Sequence, residues 1–151
     1  FTGDKSSDFL FKCLYKSKIS NLERSIDIHD SLKLKNMYIT LALKCVPPND
    51  TPTSNELKNC FRFFKEELNI LKNVEIMLAL GKIAFDTCIN FFNLKKSKYP
   101  FKHGQHYVVN KKIQIIAYYH PSPRNVNTGL INEIKMNKVL DKAKRMIETT
   151  L

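Results

Sequence analysis

The sequence predicts a three-layer α/β/α fold, in which helices cover both faces of a central, mainly parallel sheet of about four strands. Three apolar runs, at 37–43, 74–80 and 113–119, have the length of strands and show no alternation of polar and apolar residues. Strands that are apolar on both faces are typical of parallel sheets buried between helices. Segments with helical periodicity separate these runs, and we expect the first strand of the sheet to be missing or to lie upstream.

The first half of the chain predicts a helix, a strand and a second helix, in that order. Residues 7–18 carry apolar side chains on one helical face, with Ser6 or Ser7 as the predicted N-cap. The apolar run 37–43 follows as a strand. A proline-rich loop then ends at Thr53, and Glu56 completes a capping box that predicts a helix to about residue 71.

The second half predicts two further strands and two further helices. A strand at 74–80 ends at Gly81 and is followed by a helix through residue 92. A basic loop with a short irregular strand occupies residues 95–110, and a further strand follows at 113–119. The loop 120–129 then leads to an amphipathic helix at 130–149. The predicted inward face of the last helix consists of Ile134, Val139, Ala143 and Ile147.

The net charge is strongly positive and unevenly distributed. Lysine and arginine number 25 against 14 acidic residues, a formal charge of +11, and no Asp or Glu occurs from Thr87 to Asn132. One-signed segments of this kind attract polyanions such as nucleic acid, although a lysine-rich solvated surface gives the same composition. No apolar run is long enough to cross a membrane, and no secretory signal opens the chain. We expect a single domain over residues 1–151, whose start at Phe1 indicates a truncated N-terminus.

The four cysteines do not form the pattern of a secreted disulfide framework, because a chain of 151 residues needs no covalent staples. Cys13 and Cys88 lie inside apolar helical patterns, where free cysteine usually acts as a small hydrophobic residue. Cys45 and Cys60 lie in the proline-rich loop and in the helix after it. This second pair is better placed to bind a ligand.

The segment 120–129 (HPSPRNVNTG) is the strongest local signal for a functional site. His120 comes at the end of a predicted strand, where ligands bind in parallel α/β folds, and it can donate a hydrogen bond there. Prolines on either side of Ser122 restrict the backbone. The loop also offers short donors suited to phosphate oxygens, and one cation: Ser122, Asn125, Asn127, Thr128 and Arg124. An ordinary Pro/Asn turn with a solvated histidine remains the alternative.

Several motifs together resemble the uracil-DNA glycosylases of the iron–sulfur, family-5 kind. HPSPRNVNTG resembles the second motif of that family, a His-Pro-Ser loop that enters the minor groove of DNA. FTGDKSSDFLFKCL resembles the segment just after the first motif, and LKLKNMYITLALKCVPPNDTPTSNEL resembles the segment between them. VEIMLALGKIAFD and residues 101–104 (FKHG) also match in order and kind, so that the resemblance covers nearly the whole chain.

The resemblance implies a role for each matching residue. Phe1 corresponds to the aromatic residue that stacks on the flipped base, and Asp4 to an acid that orients the attacking water or steadies positive charge on the sugar. A helix-capping role is the alternative for Asp4. His120 corresponds to the histidine that stabilises negative charge on the departing base. The implied DNA contacts are Ser122, Arg124, Asn125, Asn127, Thr128, Lys102 and His103.

The resemblance also implies a 4Fe–4S cluster. Cys45 and Cys60 match two of its four cysteine ligands, and the other two are expected upstream of Phe1, together with the first motif. Leu41 stands where the related family-4 enzymes carry an asparagine that reads the edge of uracil, so discrimination between bases should relax. Arg124 stands where a leucine wedge often lies, and could intercalate, bind phosphate, or both.

The sequence therefore predicts a DNA-repair glycosylase that flips out uracil and other deaminated or damaged bases and hydrolyses their N-glycosidic bonds. The alternative is a non-catalytic or degenerate DNA-binding module of the same fold. The expected partner is DNA containing uracil or deaminated bases, and no membrane is involved. We further expect a monomer in the cytoplasm of a prokaryote, associated with the nucleoid.

Overall fold

The computed structural model describes residues 2–47 and 51–148 and confirms an α/β fold. The chain divides into two compact units, Phe1–Tyr38 with Tyr119–Leu151, and Ile39–Tyr118. The elements are, in chain order, α1 (Lys5–Lys16), α2 (Ser54–Ile70), β1 (Ile76–Leu80), α3 (Lys82–Phe91), β2 (His106–Val108), β3 (Gln114–Tyr118), α4 (Pro123–Asn127) and α5 (Glu133–Glu148). None of the helices among these residues is long and apolar enough to cross a membrane.

The sheet belongs to the second unit and has three strands among the described residues, in the order β1-β3-β2. β1 and β3 are parallel, with Ile76 opposite Gln114 and Leu80 opposite Tyr118. β2 runs antiparallel to β3, with His106 opposite Ile116. The two buried strands predicted from the apolar runs 74–80 and 113–119 are therefore confirmed as a parallel pair, while the three-layer arrangement stays a prediction.

The apolar run 37–43 forms no strand, and this part of the prediction is wrong. Within the described residues its backbone pairs with no strand, and Tyr38 and Leu41 are 56% and 45% exposed. A strand needs a neighbour for its N–H and C=O groups, and an apolar composition does not supply one. The side chains of Thr40 and Lys44 instead bind α2.

Apolar side chains from two helices and two strands form the core of the second unit. The buried members of this cluster are Phe64 of α2, Ala79 of β1, Phe85, Cys88 and Ile89 of α3, and Ile115 and Ala117 of β3. Gly81 lies between β1 and α3 with a φ of 101°, a conformation that glycine adopts without strain. Its N–H donates to the Tyr118 carbonyl at 2.7 Å, which joins the ends of the two parallel strands.

The first unit is built on α1 and α5. The N-cap of α1 is Asp4, and the predicted Ser6 or Ser7 is wrong because Ser7 occupies the third helical position and reciprocates the cap. Both predicted ends of the capping box of α2, Thr53 and Glu56, are confirmed. On α5, Glu133 forms ion pairs with Lys12 and Lys16 of α1.

Two further predictions about the C-terminal region need correction. The loop 120–129 contains a short helix, α4, because Ser122 caps it and Pro123 occupies its first position. On α5, Ile134 is 69% exposed, since the buried face is set by Met136, Val139 and Leu140. Residues 134 and 136 lie about 200° apart around a helix, so they cannot share that face.

Candidate active site

Asp4 lies at the N-terminus of α1, where its carboxylate has a structural role. Its Oδ1 accepts a hydrogen bond from the Ser7 amide at 2.6 Å, and the Ser7 hydroxyl donates to the Asp4 carbonyl at 2.8 Å. The bond from the Ser7 amide lowers the pKa of Asp4, and the charge of His120 contributes to the same shift. The carboxylate is therefore ionised at neutral pH and is held at the helix N-terminus.

His120 lies two residues after the end of β3, in the same unit as Asp4. Although much of its surface is exposed, neighbouring protein atoms remove enough water to lower the pKa of its imidazole, while Asp4 acts to raise it. The imidazole is therefore mainly neutral at pH 7. A neutral imidazole and an ionised carboxylate that act on each other's pKa provide one hydrogen-bond donor and one negative charge.

The polar side chains after His120 hold the loop in shape through short-range hydrogen bonds. The Asn125 side chain donates to the His120 carbonyl at 2.9 Å, and Ser122 Oγ accepts from the Asn125 amide at 3.4 Å. Thr128 Oγ1 donates to the Arg124 carbonyl at 2.8 Å. These three residues, expected to bind phosphate, thus also stabilise the turn that carries His120.

Arg124 and Asn127 are exposed on α4. Among the ion pairs of residues 2–47 and 51–148, none involves Arg124. Because no acidic side chain among these ion pairs neutralises Arg124, its guanidinium can bind a phosphate of DNA. Arg124 therefore stays a candidate DNA contact.

Lys102 and His103 belong to the second unit, where a tight turn holds them next to β3. The Gly104 amide donates to the Ala117 carbonyl at 2.8 Å, and Gly104 has a φ of 78°. The His103 ring lies 4.2 Å from the Tyr118 ring, centroid to centroid, whereas Lys102 is exposed. The turn therefore fixes His103 on the last residue of β3 and leaves Lys102 available to a ligand.

Cys45 and Cys60 come together in the second unit, as expected for two ligands of one metal group. Loss of solvent and the neighbouring Cys60 thiol raise the pKa of Cys45, so the two thiols interact with each other. The Lys44 amide also donates to Cys60 Sγ at 3.4 Å, a type of contact that tunes iron–sulfur clusters. No group of three or more metal-binding side chains occurs within residues 2–47 and 51–148. The pair fits half of a tetrathiolate site.

Cys13 and Cys88 do not compete for this role. Both are buried in helices, and desolvation raises the pKa of Cys13 to about 11 and that of Cys88 to about 12. A thiol must lose its proton to bind a metal, so both are poor ligands.

The two candidate base-binding residues differ in what the structure describes. Leu41 lies in the irregular segment before Cys45 and is 45% exposed. Phe1 lies outside the described residues.

Sequence reasoning missed Glu67, which binds both Thr40 and Lys44. The one available signal was its spacing of seven residues from Cys60, which places both on one face of α2.

A groove of about 610 Å³ occurs in the first unit, but it is not part of the Asp4–His120 pair. It lies at the C-terminal end of α1, whereas Asp4 caps the N-terminal end. Its lining consists of Tyr15, Lys16, Lys18, Ile19, Ser20, Asn21, Lys33, Leu34 and Lys35. A helix of 12 residues is about 18 Å long, which separates the groove from the candidate catalytic carboxylate.

Comparison with known proteins gives a consistent result. A sequence model of the Uracil DNA glycosylase superfamily matches residues 1–144, and the chain belongs to that superfamily. It is 38% identical over 146 residues to the type-5 uracil-DNA glycosylase of Thermus thermophilus, covering 97% of this chain and 66% of the relative. It is also 38% identical over 144 residues to a type-5 uracil-DNA glycosylase of Pyrobaculum aerophilum, covering 95% and 62%.

A type-4 uracil-DNA glycosylase of Archaeoglobus fulgidus is 33% identical over 95 residues, which cover 60% of this chain and 47% of the relative. The similarity to the type-5 relatives thus extends over more of the chain. The chain spans less than two thirds of the length of all three of these relatives.

Proposed function

We propose that this protein is a uracil-DNA glycosylase of the type-5 kind, which removes uracil and other deaminated or damaged bases from DNA. The observation that carries the proposal is that Asp4 and His120 lie in one unit and each shifts the pKa of the other, with the carboxylate ionised and the imidazole mainly neutral. The superfamily membership and the names of the similar proteins support it. A monomeric state and a cytoplasmic, nucleoid-associated location stay predictions.

The proposed reaction begins with extrusion of the damaged base. An enzyme that acts on a base takes it out of the stack at a cost of a few kcal/mol, which contacts with DNA must offset. The candidates for those contacts are the exposed Arg124 and Asn127 of α4 and the exposed Lys102. Because Ser122, Asn125 and Thr128 already stabilise the turn, it needs little reorganisation on binding.

Cleavage of the N-glycosidic bond places negative charge on the base and positive charge on the sugar. A neutral His120 retains one N–H group, which donates a hydrogen bond to the departing base and stabilises its negative charge. The Asp4 carboxylate stabilises the positive sugar and orients the water that adds to its anomeric carbon. The cap at Ser7 fixes that carboxylate, which limits the reorganisation that the step requires.

Cys45 and Cys60 are proposed as two ligands of a 4Fe–4S cluster. The fit rests on the interaction between the two thiols, seen in the raised pKa of Cys45, and on the Lys44 amide that donates to Cys60 Sγ at 3.4 Å. When bound, the cluster would act as a structural cross-link between the segment carrying Cys45 and helix α2. Two further thiolates are required, and Cys13 and Cys88 are unsuited to supply them.

The decisive experiment measures single-turnover excision from a uracil-containing duplex by the full-length protein. His120→Ala should lower the excision rate by about 10²–10³, the usual cost of one lost charge-stabilising donor. Binding to an uncleavable duplex should barely change. His29→Ala is the matched control, because His29 is an exposed loop histidine. Intact excision with collapsed binding in His120→Ala would show that the histidine only grips DNA.

A non-catalytic DNA-binding module of the same fold is the second candidate. The observation that favours it is the N-cap at Asp4, since capping alone accounts for an aspartate at this position. A module of this kind would bind uracil-containing duplex without any turnover. The same single-turnover assay therefore separates the two functions.

Leu41 leads to a broad substrate range in this proposal. A leucine side chain cannot form the hydrogen bonds by which an amide reads the edge of a base, and sites that lack such groups discriminate weakly. We expect the full-length protein to excise uracil and also a deaminated purine such as hypoxanthine. Leu41→Asn should shift the ratio of the two rates towards uracil. Strict uracil-only activity in the unmodified protein would contradict this role of Leu41.

A further inference from the structure

Glu67 is the centre of a polar network that connects α2 to the irregular segment before Cys45. The Lys44 ammonium donates to both carboxylate oxygens of Glu67, at 2.8 and 2.7 Å, and to Thr40 Oγ1 at 2.5 Å. The Thr40 hydroxyl in turn donates to Glu67. All three side chains are thus joined in a closed network.

The same segment contacts α2 at a second point. The backbone amide of Lys44 donates to Cys60 Sγ at 3.4 Å, while its side chain reaches Glu67. Cys60 and Glu67 are seven residues apart, close to two helical turns, so they lie on one face of α2 about 10 Å apart along its axis. Lys44 therefore spans two turns of the helix.

This double attachment fixes the residues on either side of Lys44. Leu41 lies between the two anchored residues, Thr40 and Lys44, and Cys45 follows Lys44 directly. The ion pair between Lys44 and Glu67 is partly shielded from solvent, because their side chains are only 26% and 29% exposed. Water therefore weakens this ion pair less than it weakens a fully exposed one.

From this geometry we infer that Glu67 is a positioning residue, which holds Cys45 beside Cys60 and presents Leu41 for base binding. The inference rests on the proposed function only for the identity of the ligands, a 4Fe–4S cluster and a flipped base. The placement of the two thiols is a property of the chain itself and can be measured without a cluster.

The experiment measures how closely the two thiols are held in the metal-free, full-length protein. Phenylarsine oxide is the probe, because one arsenic bonds to two nearby thiol sulfurs, while its oxygen leaves with both protons as water. Bridging is followed by mass spectrometry in competition with a small dithiol. Glu67→Gln should weaken bridging by about tenfold, as expected when two groups lose their preorganisation. Cys45→Ser should abolish the bridge between residues 45 and 60, which mass spectrometry of proteolytic peptides identifies separately from any bridge to other cysteines.

Glu66→Gln is the matched control, because Glu66 is the adjacent, exposed glutamate of α2. It removes the same charge from the same helix and should leave bridging unchanged. Lys44→Met should weaken bridging as Glu67→Gln does, and the double variant should be no worse than either alone, as expected for two partners in one interaction.

Thermal unfolding distinguishes positioning from a merely structural role. If Glu67→Gln lowers the melting temperature but leaves arsenical bridging equal to that of Glu66→Gln, the inference is overturned. It is also overturned if the unmodified protein fails to bridge. Cluster binding is measured separately, as absorbance near about 400 nm after the unmodified protein is supplied with iron and sulfide. If bridging follows the expected pattern but the unmodified protein binds no cluster, the inference stands and the proposed cofactor is wrong.

Discussion

The segment after β3 and the segment before Cys45 differ in the range of the contacts that order them. In residues 120–129 the organising side-chain hydrogen bonds join residues three to five positions apart, as from Asn125 to His120. In residues 40–45 one such bond is local, from Lys44 to Thr40, and the others reach across 16 to 27 positions to α2. The first segment carries its own order, whereas the second depends on a distant helix.

This difference predicts different responses to perturbation. A segment with local hydrogen bonds keeps its shape when remote parts of the protein loosen, because its stability does not depend on them. A segment held by long-range contacts opens when its distant partners change. The His120 turn should therefore resist changes near α2, and the Cys45 segment should not.

The largest expected effect is the loss of the proposed cluster in Cys45→Ala. Removing one thiolate leaves three ligands where tetrathiolate ligation needs four, so the brown colour and the absorbance near about 400 nm should disappear. Hydrogen exchange at residues 122–128 should stay unchanged in the same variant, because the hydrogen bonds of that turn are local.

Cys13→Ala provides the control for the cluster. Cys13 is buried in α1 and belongs to the other unit, so its removal should leave the colour intact. Loss of colour in Cys13→Ala with retention in Cys45→Ala would show that the ligand assignment is wrong. Increased exchange at 122–128 in Cys45→Ala would contradict the independence of the His120 turn.

An intermediate effect is expected for Asp4→Asn. Asparagine caps helices about as well as aspartate, so α1 should keep its stability while the negative charge is lost. The single-turnover excision rate should fall by at least roughly 10², the lower end of what a positioned carboxylate contributes. Ser7→Ala, which weakens the cap but keeps the carboxylate, should give a much smaller loss of rate.

The free energy of unfolding, measured as a function of pH, is an independent test of Asp4→Asn. Because the folded-state pKa of Asp4 is lowered, its stabilisation is fully present above the unfolded pKa and is lost as pH falls through the folded value. Asp4→Asn should therefore flatten the acid limb of the stability curve. If the rate is unchanged and only this limb changes, the aspartate is a cap and not a catalytic residue.

The smallest expected effect is that of Arg124→Ala on DNA binding. A single phosphate contact changes the salt dependence of the binding constant by about one counterion, so the slope should become shallower by that amount. Lys142→Ala, an exposed lysine of α5, should leave the slope unchanged. An unchanged slope with slower base flipping in Arg124→Ala would identify the arginine as a wedge.

Several features encoded over a few residues were predictable from the sequence, although the Asp4 cap of α1 and the short helix α4 were missed. The capping box of Thr53 and Glu56 begins α2 as expected, because its two side chains satisfy each other's backbone amides. The end of β1 at Gly81 and the turn at His120 follow equally local signals. The pairing of Cys45 and Cys60 came from the resemblance to a family; the two thiols interact, and their role as metal ligands stays a prediction.

Features that depend on distant partners were not predictable. The run 37–43 has the composition of a buried strand but pairs with none among the described residues. Ile134 fits a helical pattern but lies off the buried face, because packing against the rest of the unit sets the phase of α5. The network of Thr40, Lys44 and Glu67 has no signature in the chain beyond the helical spacing of Cys60 and Glu67.

That spacing has a consequence for which changes in chain length the protein tolerates. One residue inserted between Cys60 and Glu67 turns the carboxylate by about 100° around α2, away from Lys44. Residues inserted at 46–47 or 51–52, which form no helix or strand, only lengthen a connecting segment, and each doubling of a loop costs about 0.6 kcal/mol. In an alignment of homologous sequences, we therefore expect deletions and insertions to cluster before α2 and to be absent between its thiol and its carboxylate.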